Sequence, residues 1–217
     1  MNPSSISQIQ QIGTGVAFIL FPLIFVFAFS MHPGLLKPRL LKPAEIIRRA
    51  RGNKMLQFGH ALVLLCTALL IVPAAHFLSI LNQGSAGWFG LIGAALAVLG
   101  AIILAADKGA LCLTMSALDT LPEEKFSAMM PGLLAMFSKK GWMILLWGIV
   151  LLPLGFAIQT LGLMQIGALT PWQNILFLIG VLLVGTPDGV EVVNLSASIM
   201  MAIAMIPYGL QLIATAF

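Results

Sequence analysis

The densest polar cluster beside an apolar run in this chain is Asp188-Gly-Val-Glu191, which Asn194, Ser196 and Ser198 continue. Carboxylates three residues apart share a helical face. At the start of a membrane helix such a pair could receive a cation or a proton, with the following amide and hydroxyls extending a polar stripe inward. The same residues also suit a plainer role. Asp188 can cap a helix, with Glu191 completing a capping box and both carboxylates favoured by the positive end of the helix dipole. Capping is the commoner origin of this pattern, and ion or ligand binding at Asp188, Glu191, Asn194 and Ser196 stands as the alternative.

Histidines raise a second chemistry. His32 and His60 fall at corresponding ends of the first two apolar runs, where an imidazole pair could hold one haem iron. His76 stands sixteen residues beyond His60, about 24 Å along the same helix, so a second paired-histidine haem is excluded. Cys66 and Cys112 give neither a disulfide framework nor a Cys and His spacing suited to metal. No bound cofactor is expected, a single haem at His32 and His60 being the one exception the spacing allows. There is no Ser, His and Asp arrangement and no glycine loop for phosphate. The chain therefore does not read as an enzyme.

Seven of the 11 Lys and Arg residues lie between Lys37 and Lys54, flanked by apolar runs. This is the signature of a cytoplasmic loop in a polytopic membrane protein. Within it Arg48, Arg49, Arg51 and Lys54 are the residues expected to meet anionic lipid headgroups. The net charge of +4 comes without the aromatic interleaving that would track a phosphate backbone, so nucleic acid is not an expected partner. Hydrophobic residues make up 60% of the chain, charged ones 8%, and the mean hydropathy is +1.06. An ordinary soluble domain carries about 25% charged residues.

The elements that must position these groups follow from the apolar runs. The reading is an all-α polytopic membrane protein with about six transmembrane helices, residues 1–217 forming one membrane domain. Spans are predicted near Ile12–Met31, Leu56–Leu81, from Trp88 onward, Gly141–Leu163, Trp172–Thr186, and Val190 to the C-terminus, where Pro207 should kink the last helix. Residues 32–55 form the basic cytoplasmic loop. Residues 108–140 form a cytoplasmic, interfacial segment: an amphipathic extension to Leu121, with Lys108, Ser116, Asp119 and Thr120 on its polar side, and a second surface piece from Phe126 to Phe137. Met1–Gln11 has no charged side chain, so it lacks a signal-peptide n-region and the first span should be retained. Both termini are then expected outside an inner, plasma membrane, with Trp88, Trp142 and Trp172 marking interfaces.

Shifting the chain by eighty residues places Pro73 on Pro153, Gly100 on Gly180, Gly109 on Gly189 and Ser116-Ala117 on Ser196-Ala197. Spans two and three would then repeat as four and five in the same orientation, a parallel internal repeat. It would make Asp107-Lys108-Gly109 a break matching Pro187-Asp188-Gly189, with Asp107 and Lys108 as further ligand or ion candidates. Gly93 and Gly100, seven apart, should let another helix approach closely. The first functional expectation is a non-enzymatic membrane module that binds a partner membrane protein, another copy of itself, or an apolar ligand or lipid between its halves. The second is a small transporter or channel with its site at the break between the fifth and sixth spans. A single-haem redox protein is the third.

Overall fold

A computed structural model describes residues 3–33, 35–137, 143–185 and 190–217. Gly141, Trp142, Thr186, Pro187, Asp188 and Gly189, all used in the sequence reading, lie outside these, as does the side chain of Trp147. Among the described residues helix is the only regular structure. The helices are α1 (Pro3–Ser30), α2 (Pro43–Ala50), α3 (Lys54–Leu81), α4 (Gly87–Leu118), α5 (Glu123–Phe137), α6 (Met143–Ile166), α7 (Pro171–Leu183) and α8 (Glu191–Ala214). Five of them, α1, α3, α4, α6 and α8, are long and apolar enough to cross a membrane.

The long helices and α7 form a ring in chain order. Each packs on the next, from α1 to α3, α4, α6, α7 and α8, and α8 returns to α1. Lipid provides no hydrophobic drive between helices, so close packing must hold them. Glycines permit it. A Cβ on Gly100 would overlap the Leu152 backbone nitrogen and stand 2.6 Å from its Cα, and one on Gly93 would stand 2.8 Å from the Gly155 carbonyl, so both glycines seat α4 on α6 as their spacing implied. Gly15 of α1 and Gly209 of α8 face each other, each Cβ position 2.6 Å from the other's carbonyl oxygen. The outward surface carries Leu65, Leu91, Ile102, Leu182, Ile203 and Leu210, all exposed.

Several expectations need correction. α4 runs unbroken through Asp107-Lys108-Gly109 for 32 residues. At about 1.5 Å per residue it is about 48 Å long against a hydrocarbon core of about 30 Å, so it continues as a stalk. Asp119 does not belong to an outward polar side: it lies four residues after buried Met115, on the same helical face, and both turn toward the protein. α7 has 13 residues, about 20 Å. It starts at a Thr170, Pro171 and Gln173 box, Thr170 Oγ donating to Gln173 Oε1 at 2.7 Å, and ends at Leu183, two residues before Gly185, whose φ of 93° a side chain would strain. α1 begins well before Ile12, because its polar first turns have a partner: Gln11 Nε2 donates to Thr215 Oγ at 2.7 Å.

α2 and α5 form a cap over one end of the ring. The apolar face of α5 (Phe126, Leu133) buries against Ile47, Ala50, Met115 and Leu118, so its amphipathicity is spent on the protein itself. Asp119 latches the cap, accepting from the Gly52 N–H at 2.8 Å, Lys54 Nζ at 2.9 Å and Gln57 Nε2 at 2.6 Å. Partial burial works against this carboxylate's charge, but the three donors outweigh it and hold its pKa below the usual carboxylate value. Arg51 donates to the Leu121 carbonyl at 2.8 Å, pairs with Glu123 and stacks 4.1 Å over the Phe126 ring.

Candidate functional site

Inside the ring, below the cap, lies a cavity of about 830 Å³. That is within the roughly 300–1,000 Å³ of pockets that enclose small ligands. All six ring helices contribute to its wall. Its body is apolar, with Phe21, Phe25, Val63, Leu70, Phe156 and Phe177 among the lining residues. Four of the five phenylalanines of α1 recur at positions 18, 21, 25 and 29, three or four apart, and so stack along one face. Three of them line the cavity, and Phe18 is fully buried beyond. At the far end the wall is backed by an aromatic cluster: Phe77 packs edge to face on Phe156 and Phe177, with centroids 6.4 and 5.9 Å away, and Phe18 packs on Phe77 at 5.2 Å. These are ordinary aromatic separations.

The near end, under α2, is polar. His32, His60, Asp107, Lys108, Glu191 and Arg49 all line it, although they come from five separate segments of the chain. His32 Nδ1 lies 3.6 Å from Glu191 Oε1, and the His32 and His60 rings meet edge to face with centroids 5.6 Å apart at 74°. Lys108 Nζ lies 3.2 Å from Asp107 Oδ2, and Arg49 donates to the Pro33 carbonyl at 3.4 Å. From His60 to Leu70, both cavity-lining residues of α3, is ten residues. That is a depth of about 15 Å, close to half the hydrocarbon thickness of a bilayer.

The structure thus brings together candidates that the sequence held apart. His32, His60, Asp107, Lys108, Glu191 and Asn194 share one cavity. Asn194 Oδ1 accepts from the Gly185 N–H at 2.6 Å, tying the residue just past α7 to α8, and both residues line the cavity. Ser196 is exposed and its hydroxyl donates to the Val192 carbonyl, so it faces away. Glu191 does not complete a capping box, because Val190 is the cap and Glu191 is the first residue of α8. Its side chain is buried toward His32 instead. Of the four basic residues expected at headgroups, Arg48 is exposed, Arg49 lines the cavity, Arg51 is engaged by Glu123 and Leu121, and Lys54 pairs with Asp119 while staying exposed.

His32 and His60, the pair that the sequence allowed for a single haem, lie side by side at the polar end of the cavity with their rings edge to face. Among the described residues no group of three or more His, Cys, Asp or Glu side chains is arranged to hold a metal ion. His76, at the opposite end, is hydrogen-bonded to the Tyr208 hydroxyl at 2.7 Å. Sequence reasoning missed the phenylalanine face of α1 and the role of Arg49. The three- and four-residue spacing of the phenylalanines was the available signal, whereas nothing local marks Arg49 off from its basic neighbours. No family model, curated protein or solved structure matches this chain.

Proposed function

We propose that this is a non-enzymatic membrane protein that holds an amphipathic ligand, its apolar body in the cavity and its polar head under the cap. The observation that carries this reading is the cavity itself: an apolar, aromatic-walled chamber about as deep as one leaflet's hydrocarbon, with charge confined to one end. Burying an apolar chain there gains about 25 cal/mol per Å² of surface removed from water. The basic cap faces the cytoplasm of a plasma membrane by the positive-inside tendency, and the ligand enters from the inner leaflet.

In this reading α7 counts as a sixth, short crossing, and both termini lie outside. The internal repeat also gains support. Gly100 presses on α6 and Gly180 on Ala197 and Met201 of α8, so the two aligned glycines each seat the next helix of the ring. The test is native mass spectrometry of the protein in mild detergent. A retained lipid-sized adduct is expected in the wild type and not in Val63→Trp/Val181→Trp, which fills the cavity. An adduct that survives this substitution, or bare wild-type protein, overturns the reading.

A carrier that releases its ligand across the membrane is the second reading, favoured by Glu191 and Asn194 lying at the cavity mouth on the helix that follows short α7. Glu191→Gln should then abolish uptake in vesicles while adduct retention survives. Uptake equal to wild type would refute it.

A further inference from the structure

The cavity mouth holds two carboxylates, each set beside a basic side chain, and three side chains that bring N–H donors, Arg49, Lys108 and His60. Asp107 is engaged by Lys108, Glu191 lies against His32, and Asn194 Oδ1 is taken by Gly185. His60 has no hydrogen-bond partner within the described residues, its ring meeting only that of His32, and it lines the cavity. Lys108 carries three N–H donors and Arg49 five. Among the described residues each has one protein oxygen as partner, Asp107 for Lys108 and the Pro33 carbonyl for Arg49. A ligand head in this place is therefore met by a guanidinium, an ammonium and an imidazole from three different helices.

Donors of this kind match acceptor oxygens, and the strongest such pairing is charge-assisted, with carboxylate or phosphate. We propose that the ligand is an oxyanion-headed amphiphile, a single-chain carboxylic acid or phosphate ester, whose head is received by Arg49, Lys108 and His60. This rests on the amphipathic-ligand reading above and names the head. A neutral ester of the same chain keeps the apolar contacts and loses the charge-assisted ones, which separates the two claims.

The experiment uses the full chain in phosphatidylcholine nanodiscs and measures equilibrium binding of radiolabelled palmitate, palmitoyl lysophosphatidate and methyl palmitate. At least one of the two acids should bind about tenfold or more tighter than the ester, the size of one charge-assisted hydrogen bond. Which acid binds tighter identifies the oxyanion. Arg49→Gln and Lys108→Gln should each remove most of that advantage by weakening the acids far more than the ester. Ester binding as tight as that of both acids overturns the head assignment and leaves the cavity reading standing. If none of the three binds, both fall. The comparison among ligands uses unmodified protein, so a variant that does not fold leaves it decisive.

Discussion

Replacing Gly100 by alanine adds one methyl group where α4 meets α6. That methyl would overlap the backbone nitrogen of Leu152 and stand 2.6 Å from its Cα and 2.8 Å from its Cβ. Ordinary van der Waals contact begins at about 3.4 Å, and two of these three neighbours are backbone, so no rotamer change relieves the overlap. The helices must separate by about 1 Å, and that gap propagates to Gly93 and Gly155, which pack in the same seam. Overpacking of this kind costs about 1–3 kcal/mol, and lost van der Waals contact is not recovered from lipid, which solvates separated helices well. Gly132→Ala is the control. It lies exposed in α5 with nothing within 4 Å of its Cβ position, and relief of glycine's backbone entropy should stabilise by about 0.5–1 kcal/mol. The assay is thermal unfolding in detergent followed by tryptophan fluorescence and size-exclusion recovery. Gly100→Ala should lower the midpoint and Gly132→Ala should leave it unchanged or raise it. Equal tolerance of the two would refute the close-packed seam.

The Asp119 latch carries its own pH signature. Its folded pKa is held below the ordinary value of 3.8, so its contribution is fully present above that value and is lost as pH falls through the lowered pKa. Asp119→Ala should cost about 1–3 kcal/mol at neutral pH by leaving its donors without an acceptor. The gap from wild type in an unfolding titration should narrow only below about pH 4, and a gap that closes near pH 6 would refute the assignment. Orientation can be read by cysteine labelling. Gln83→Cys, in the exposed turn between α3 and α4, should react with an impermeant maleimide from outside the cell, and Leu36→Cys, 87% exposed near the cap, only after lysis. Leu36 is the better probe there, because Gly52 of the same loop has a φ of 71° that a side chain would strain.

The sequence by itself determined the solvent and the elements. Sixty per cent hydrophobic residues in long runs can bury only in lipid or in one another, and the ends of those runs place the starts of α3, α4, α7 and α8 within about two residues of where they lie, whereas α1 starts at Pro3 and not near Ile12. The small residues Gly93 and Gly100 announced a close helix contact, because only a missing Cβ lets backbones approach so far. Tertiary structure decided which polar groups meet. Glu191 reads as a capping residue because local spacing cannot register His32, more than 150 residues earlier, and it is ring closure of α8 on α1 that sets them 3.6 Å apart. Asp107 and Lys108 read as a helix break only through the eighty-residue repeat, while the helix-forming sequence beyond them pointed to the continuation that α4 shows; packing on α3 and α6 then aims the pair at the cavity mouth. Periodicity reports which residues share a face. Which faces turn toward one another, and how much space stays between them, depends on contacts among residues far apart in the chain.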